Sequence, residues 1–178
     1  TREAVRMGVK NGLVFVISSG RSIQGVQPIV DELDLDLPLI TYNGAMVLTG
    51  KSRKIIYEQK LGPADARNIF RLGQERGTTV VIWADNRLYV NTLNERAEKY
   101  GQLNRTKPIL VQNVDEAVKN GFTKMLWYQE PGIIEKFYRE VGQFLGSNVT
   151  YHTSKPIFLE FVDKKASKAI AMERLGEY

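Results

Sequence analysis

The sequence predicts an α/β fold in which a parallel-sheet core, residues 1–44 and 156–178, is interrupted by an α+β module over residues 45–155. Three observations predict it. The apolar run Leu13-Val14-Phe15-Val16-Ile17 is followed within about 30 residues by a helical pattern and a second apolar run, the rhythm of a strand, helix, strand crossover. After Gly44 the texture changes to hairpins alternating with helices, as in α+β domains. With 178 residues, 43% hydrophobic and 25% charged, the chain is long enough for one good core or two small ones and is too apolar for disorder.

In order, residues 1–11 read as the end of an amphipathic helix, with Ala4, Val5 and Val9 apolar among Arg2, Glu3, Arg6 and Lys10, and Gly12 as its left-handed stop. Residues 13–17 read as a strand buried on both faces, ending in Ser18-Ser19-Gly20-Arg21. Ile23, Val26, Ile29, Val30 and Leu33 recur at helical spacing, with a kink or late start expected at Pro28. Leu39-Ile40-Thr41-Tyr42 is a second strand that stops at Asn43-Gly44. A hairpin over 45–57, a helix over 63–76 opened by Pro63 and closed by Gly77, and a second hairpin over 78–91 follow. Residues 95–107 read as a polar connection. A short helix over 114–119, a strand over 122–128, a long helix over 132–145, strands over 149–152 and 157–162, and a helix over 168–175 capped by Ser167 complete the chain.

Composition removes several chemistries. There is no cysteine and a single histidine, His152, which excludes disulfide scaffolds, thiol nucleophiles, zinc ribbons and multi-histidine metal sites. Any metal must therefore be held by oxygen. The net charge of +5 suits an anionic small molecule as readily as nucleic acid. The densest basic cluster, Lys51, Arg53 and Lys54, lacks the interleaved aromatics of a nucleic-acid surface and reads as a solvated turn. No run approaches the roughly 18 apolar residues of a membrane span, and Thr1-Arg2-Glu3-Ala4 has no signal-peptide core. A soluble, cytoplasmic protein without nucleic-acid or membrane partners is expected, and the opening reads as an internal piece of a longer chain.

In a doubly wound sheet, ligands sit at the carboxyl ends of the strands, here Ser18 to Arg21 and Asn43-Gly44. A hydroxyl and successive N–H groups at a helix start form an anion cradle, to which Arg21 adds a planar fork. A strand-to-helix turn with a serine cap explains the same tetrapeptide. Lys168 falls in the first turn of a helix, where the dipole disfavours a cation, which hints at a task other than stability. A solvated basic face of Lys164, Lys165 and Lys168 is the simpler account of that segment alone. Asn43-Gly44 is by itself a common turn dipeptide. Asp85, Asn86 and Asn91 read as turns, because no stretch has the spacing of a calcium loop. Trp83, Tyr89, Trp127 and Tyr128 read as core or cross-strand residues, and His152 as a surface or sheet-edge residue.

Val14-Phe15-Val16-Ile17-Ser18-Ser19-Gly20-Arg21, Ile40-Thr41-Tyr42-Asn43-Gly44-Ala45, and Phe158-Leu159-Glu160-Phe161-Val162 leading to Ser167-Lys168 occur in this order across nearly the whole chain. Together they resemble the Cof-like branch of the haloacid dehalogenase (HAD) superfamily of phosphatases. The resemblance implies a Rossmann-like core, partial here, with an inserted α+β cap of class IIB. It assigns Ser19 to hydrogen-bond the transferring phosphoryl group and Lys168 to steady the phosphoryl oxygens and the nucleophile, with Gly20, Arg21, Asn43 and Gly44 around the substrate. It further implies magnesium as cofactor, a small phosphorylated metabolite such as a sugar phosphate as substrate, and an aspartyl-phosphate intermediate. Two residues depart from the pattern: Ser18-Ser19 stands for the usual Ala-Thr, and Ala169 for the Gly after the lysine.

The family's Asp-x-Asp-Gly-Thr and Gly-Asp-x-x-Asn-Asp motifs do not occur in residues 1–178, so the resemblance places the nucleophile and the metal ligands outside them and expects this chain alone to be inert. Asp31, Glu32, Asp34 and Asp36 read as a solvated helix end and not as a substitute. The alternative to an enzyme is a non-catalytic module that binds a phosphorylated ligand or a protein through the α+β insert.

Overall fold

Two hydrogen-bonded sheets organise residues 1–178 in this computed structural model, one in each of two units: Thr1–Gln59 with Lys165–Tyr178, and Lys60–Lys164. The first unit contains α1 (Arg2–Lys10), β1 (Ile17–Ser18), α2 (Ile23–Leu33), β2 (Pro38–Thr41), β3 (Met46–Thr49) and β4 (Ile55–Glu58). The second contains α3 (Pro63–Glu75), β5 (Thr79–Ala84), β6 (Arg87–Val90), α4 (Glu95–Leu103), β7 (Ile109–Leu110), α5 (Val114–Ala117), β8 (Lys124–Tyr128), α6 (Pro131–Glu140), β9 (Val149–Lys155) and β10 (Phe158–Asp163). The chain then returns to the first unit as α7 (Lys168–Gly176). None of these helices is long and apolar enough to cross a membrane.

In the first unit the strand order is β1-β2-β3-β4, with β1 parallel to β2 and the rest antiparallel. The expected strand over 13–17 shrinks to Ile17–Ser18, and Leu13 and Val14 are 63% and 80% exposed. Among residues 1–178, β1 has a partner on one side only, so no other part of them encloses the apolar run ahead of it. Helix α2 runs through Pro28. It is capped by the buried Ser22, whose Oγ accepts the Gly25 N–H at 3.1 Å, and it ends at Asp34 with φ 56. Val26, Val30, Leu39, Met46 and Leu48 are fully buried in the unit; beside them, Val5, Leu33 and Leu37 join α1 to α2, and Ile40, Val47 and Ala171 seat α7 on the sheet.

The hairpin after Gly44, read in the sequence as part of the insert, is in the first sheet, since Leu39 pairs with Leu48 and Ile40 with Val47. Conversely, the strand over 157–162, read as a core strand, pairs antiparallel with β8 and β9 as β10 and belongs to the second sheet. In each case a long apolar run fits either sheet, and backbone pairing decides.

The second sheet has the order β7-β6-β5-β8-β10-β9. The turn between β5 and β6 places Asp85 and Asn86 at φ 47 and 58, the left-handed pair a tight two-residue hairpin requires. Strand alternation sends Val80, Ile82, Met125, Trp127, Leu159 and Phe161 to one face, where they form a continuous core with Ile69 and Phe70 of α3 and Ile134 and Phe137 of α6. Gly73 permits that approach, because a Cβ there would lie 2.5 Å from the Trp127 Nε1 and the Val80 Cγ2. Residues 95–107, expected as a connection, contain α4, capped by Asn94 through the Ala97 N–H at 2.9 Å. Only Ala97, Tyr100 and Gly101 of that helix are buried, too narrow a stripe to stand out in the sequence.

Candidate functional site

At the end of β1, the Ser19 N–H donates to the Ile40 carbonyl at 2.8 Å, which extends the pairing with β2 by one residue. The chain then turns, and the Ser19 Oγ accepts the Arg21 N–H at 3.1 Å. Two of the amides expected to cradle an anion are thus committed inside the loop. The side chains offered by the loop are the Ser19 hydroxyl, which keeps its own proton to donate, and the exposed Arg21 guanidinium. The serine cap of the following helix is Ser22, which the sequence reading did not single out. Its signal was the Ser-x-x-Gly spacing ahead of the apolar helix stripe. Ser18 is the exposed last residue of β1, and Ser19 is half-buried.

The strand β2 ends in a tight turn over Tyr42–Gly44 that is laced to this loop. The Tyr42 N–H donates to the Arg21 carbonyl at 3.0 Å and the Asn43 N–H to the Ser19 carbonyl at 3.3 Å. Gly20 lies against Asn43 so closely that a Cβ on the glycine would fall 2.2 Å from the Asn43 Oδ1. On the far side of the turn, a Cβ on Gly44 would fall 2.2 Å from the Ser167 carbonyl carbon and 2.6 Å from the Lys168 nitrogen. Three segments far apart in sequence, 18–21, 43–44 and 167–168, are therefore stacked at one end of the first sheet.

Lys168 is the first residue of α7 and is exposed. Its helix is fixed from below by the fully buried Ala171 and at its start by the Ser167 Oγ, which accepts the Ile170 N–H at 3.1 Å. A cation at that position works against the helix dipole but is well placed to meet an anion at the same rim. The acids of the α2 end point elsewhere: Asp34 pairs with the Lys51 Nζ at 2.6 Å, and Asp36 accepts the Lys51 N–H at 2.6 Å. No group of three or more His, Asp or Glu side chains gathers to hold a metal ion, so these residues do not make a magnesium site.

The second unit holds a polar cluster that the sequence reading missed. Lys124 and Glu160, each with a side chain only 5% exposed, form an ion pair at 3.0 Å on the sheet face opposite the apolar core. Glu160 also accepts the Ser154 hydroxyl at 2.7 Å, and the half-exposed His152 lies 3.5 Å from its other oxygen. Burial by itself would raise the Glu160 pKa, but the Lys124 ammonium and the donor bonds from His152 and Ser154 outweigh it and hold the carboxyl far below its usual range. Burial likewise opposes the Lys124 charge, and the adjacent Tyr100 oxygen and Glu160 carboxylate outweigh it, so its pKa is raised. Burial pushes the Tyr100 phenol up, and its oxygen accepts the Trp83 Nε1–H at 3.1 Å. The signal was one lysine and one glutamate, each alone inside an apolar strand run. Trp83 and Trp127 are buried.

Residues 1–178 match the family model of the haloacid dehalogenase-like hydrolases. The sequence is 26% identical to "Putative phosphatase YxeH" of Bacillus subtilis (strain 168), over 99% of this chain and 67% of that protein. It is 25% identical to "Putative phosphatase M6_Spy0533" of Streptococcus pyogenes serotype M6, over 98% of this chain and 66% of that protein. The chain thus spans about two thirds of the length of the curated relatives it matches. Among solved structures it is similar to TM0651 from Thermotoga maritima, with a TM-score of 0.84 and 24% identity over 99% of this chain and 66% of that one. It is also similar to BT4131, described as a HAD subclass IIB sugar phosphatase, with a TM-score of 0.78 and 18% identity over 98% of this chain and 66% of that one. At these identities the likeness to solved structures establishes the fold.

Proposed function

Because this chain belongs to the haloacid dehalogenase-like hydrolase family, we propose that residues 1–178 carry the phosphoryl-binding rim and the cap of a phosphohydrolase for a small phosphorylated metabolite, such as a sugar phosphate. The Ser19 hydroxyl donates to one phosphoryl oxygen, the Lys168 ammonium neutralises others, and Arg21 stands at the mouth as a further cation. The unit Lys60–Lys164 is the α+β cap that reads the leaving group. The carboxylate that takes the phosphoryl group as an aspartyl-phosphate, and the oxygen ligands of the family's magnesium, lie outside residues 1–178. The side chains present do not form a metal site, so the roles assigned here are those of Ser19, Arg21 and Lys168 alone.

The observation that carries this reading is the seating of Gly44 against the Ser167–Lys168 backbone, because it brings the helix bearing Lys168 to the same rim as the Ser19 loop. The test is p-nitrophenyl phosphate hydrolysis with magnesium by the product of the complete reading frame. Lys168→Ala is expected to lower kcat by about 100-fold or more with little change in melting temperature. Ser19→Ala is expected to cost more than Ser18→Ala. Wild-type turnover in Lys168→Ala overturns the assignment, and a reversed serine ranking moves the donor to Ser18. If the complete protein releases no phosphate, the non-catalytic binding module replaces the enzyme.

A further inference from the structure

The turn between the two halves of the proposed phosphoryl site is strained. Tyr42, Asn43 and Gly44 have φ of 50, 62 and 97, three consecutive residues in the left-handed region. A bulky aromatic there is disfavoured, and a run of such residues more so; they persist only where the surroundings over-determine them. Here they do. The Tyr42 side chain is fully buried, the amides of Tyr42 and Asn43 are bound to the carbonyls of Arg21 and Ser19, and the Ala45 N–H closes the turn on the Tyr42 carbonyl at 3.1 Å.

We infer that the Tyr42–Gly44 turn is a spacer that sets the separation between the Ser19 loop and Lys168, with Asn43 and Gly44 acting as positioning residues and not as ligands of the phosphate. The inference rests on the phosphoryl site proposed above and assigns a different task to two of its residues. One side of the turn grips the loop through two backbone hydrogen bonds and through the Asn43 Oδ1 packed on Gly20. The other side meets the start of α7 across a gap with no room for a methyl group. The turn is therefore in contact on both sides, and its thickness sets the separation of the Ser19 and Lys168 backbones from which the hydroxyl and the ammonium project. Gly12 supplies the contrast: its φ is +86, yet no atom lies within 4 Å of a Cβ placed there. Left-handed geometry is common to both glycines; the close contact belongs to Gly44.

The experiment is an amide NMR titration of the product of the complete reading frame with inorganic phosphate, together with melting temperatures. Phosphate is expected to shift the amides of Ser19 to Arg21 and of Lys168 to Ile170 in the wild type. Gly44→Ala should weaken phosphate binding about tenfold and should displace the Lys168 to Ile170 amides even without phosphate. Gly12→Ala should lower the melting temperature while leaving phosphate binding unchanged. Asn43→Gly should keep or raise the melting temperature, because glycine tolerates that φ, and should still weaken phosphate binding. A purely structural turn would not give that combination, and Asn43→Gly decides the matter if Gly44→Ala fails to fold. Unchanged phosphate affinity in Asn43→Gly and in any folded Gly44→Ala overturns the spacer. A wild-type chain whose amides ignore phosphate overturns the phosphoryl site instead; the spacer then stands or falls on the phosphate-free shifts at Lys168 to Ile170, in Gly44→Ala or, failing that, on those at Ser19 and Gly20 in Asn43→Gly.

Discussion

Residues 60–164 and the unit formed by 1–59 with 165–178 bury their apolar side chains to different extents. The former has one continuous core between a six-stranded sheet and α3 and α6. The latter buries Val26, Val30, Leu39, Met46 and Leu48 and a smaller group of Val5, Leu33 and Leu37, and leaves Leu13 and Val14 exposed ahead of β1. The loops at the ends of β1 and β2 are tied to each other by backbone hydrogen bonds and close glycine contacts. In the proposed function the larger core and the phosphoryl-binding loops thus fall in different parts of the chain, as expected when a rigid scaffold and ligand-binding loops answer to different demands.

The sharpest way to break that contrast is Trp127→Ala. The indole is fully buried, packs against Phe137 and Phe161, and donates its Nε1–H to the Ile69 carbonyl at 3.2 Å. Its loss is expected to destabilise residues 60–164 by about 3–5 kcal/mol. Hydrogen exchange read residue by residue locates the effect. Equal loss of protection in β2 and β3 would mean that the two units unfold as one and that the contrast has no thermodynamic content.

Glu160→Gln should come next, at about 3 kcal/mol, because it leaves the buried Lys124 ammonium without its counter-charge. It also tests the pH dependence. The Glu160 pKa is held below its ordinary 4.5 in the folded state, so the carboxylate stabilises the unit above that value. As pH falls below it the unfolded state binds the proton first, and stability drops by up to about 1.4 kcal/mol per pH unit. Urea midpoints between pH 5 and about 3 should fall more steeply for the wild type than for Glu160→Gln. Parallel slopes would assign the acid sensitivity to other carboxylates.

How much of this was legible in the sequence follows the same division. Elements with their own punctuation could be read: α3 from Pro63 and Gly77, α7 from Ser167, and the second hairpin from Asp85-Asn86. The rim motifs could be read too, because Ser19, Asn43-Gly44 and Lys168 each follow or open a regular element. Sheet membership could not. The runs at 46–48 and 157–162 are apolar enough for either sheet, and only pairing with β2 or with β8 and β9 places them. Lys124 and Glu160 stand out as lone charges in apolar runs, but their pairing could not be read, because partners 36 residues apart meet only through β8 and β10. The left-handed Tyr42 is likewise imposed by its neighbours, since nothing in a tyrosine favours that conformation.

The smallest expected effect tests the open edge. An apolar run read as a strand enclosed on both faces predicts that Val14→Ser costs about 1.5–3 kcal/mol. At 80% exposure the same change should stay within about 0.5 kcal/mol. It should also reduce self-association, since Leu13, Val14 and Phe15 form an exposed apolar run. Urea unfolding and sedimentation of the two proteins at matched concentrations separate these outcomes. A cost near the larger figure would mean that another surface covers residues 13–15 in solution, and the first unit would then be as well enclosed as the second.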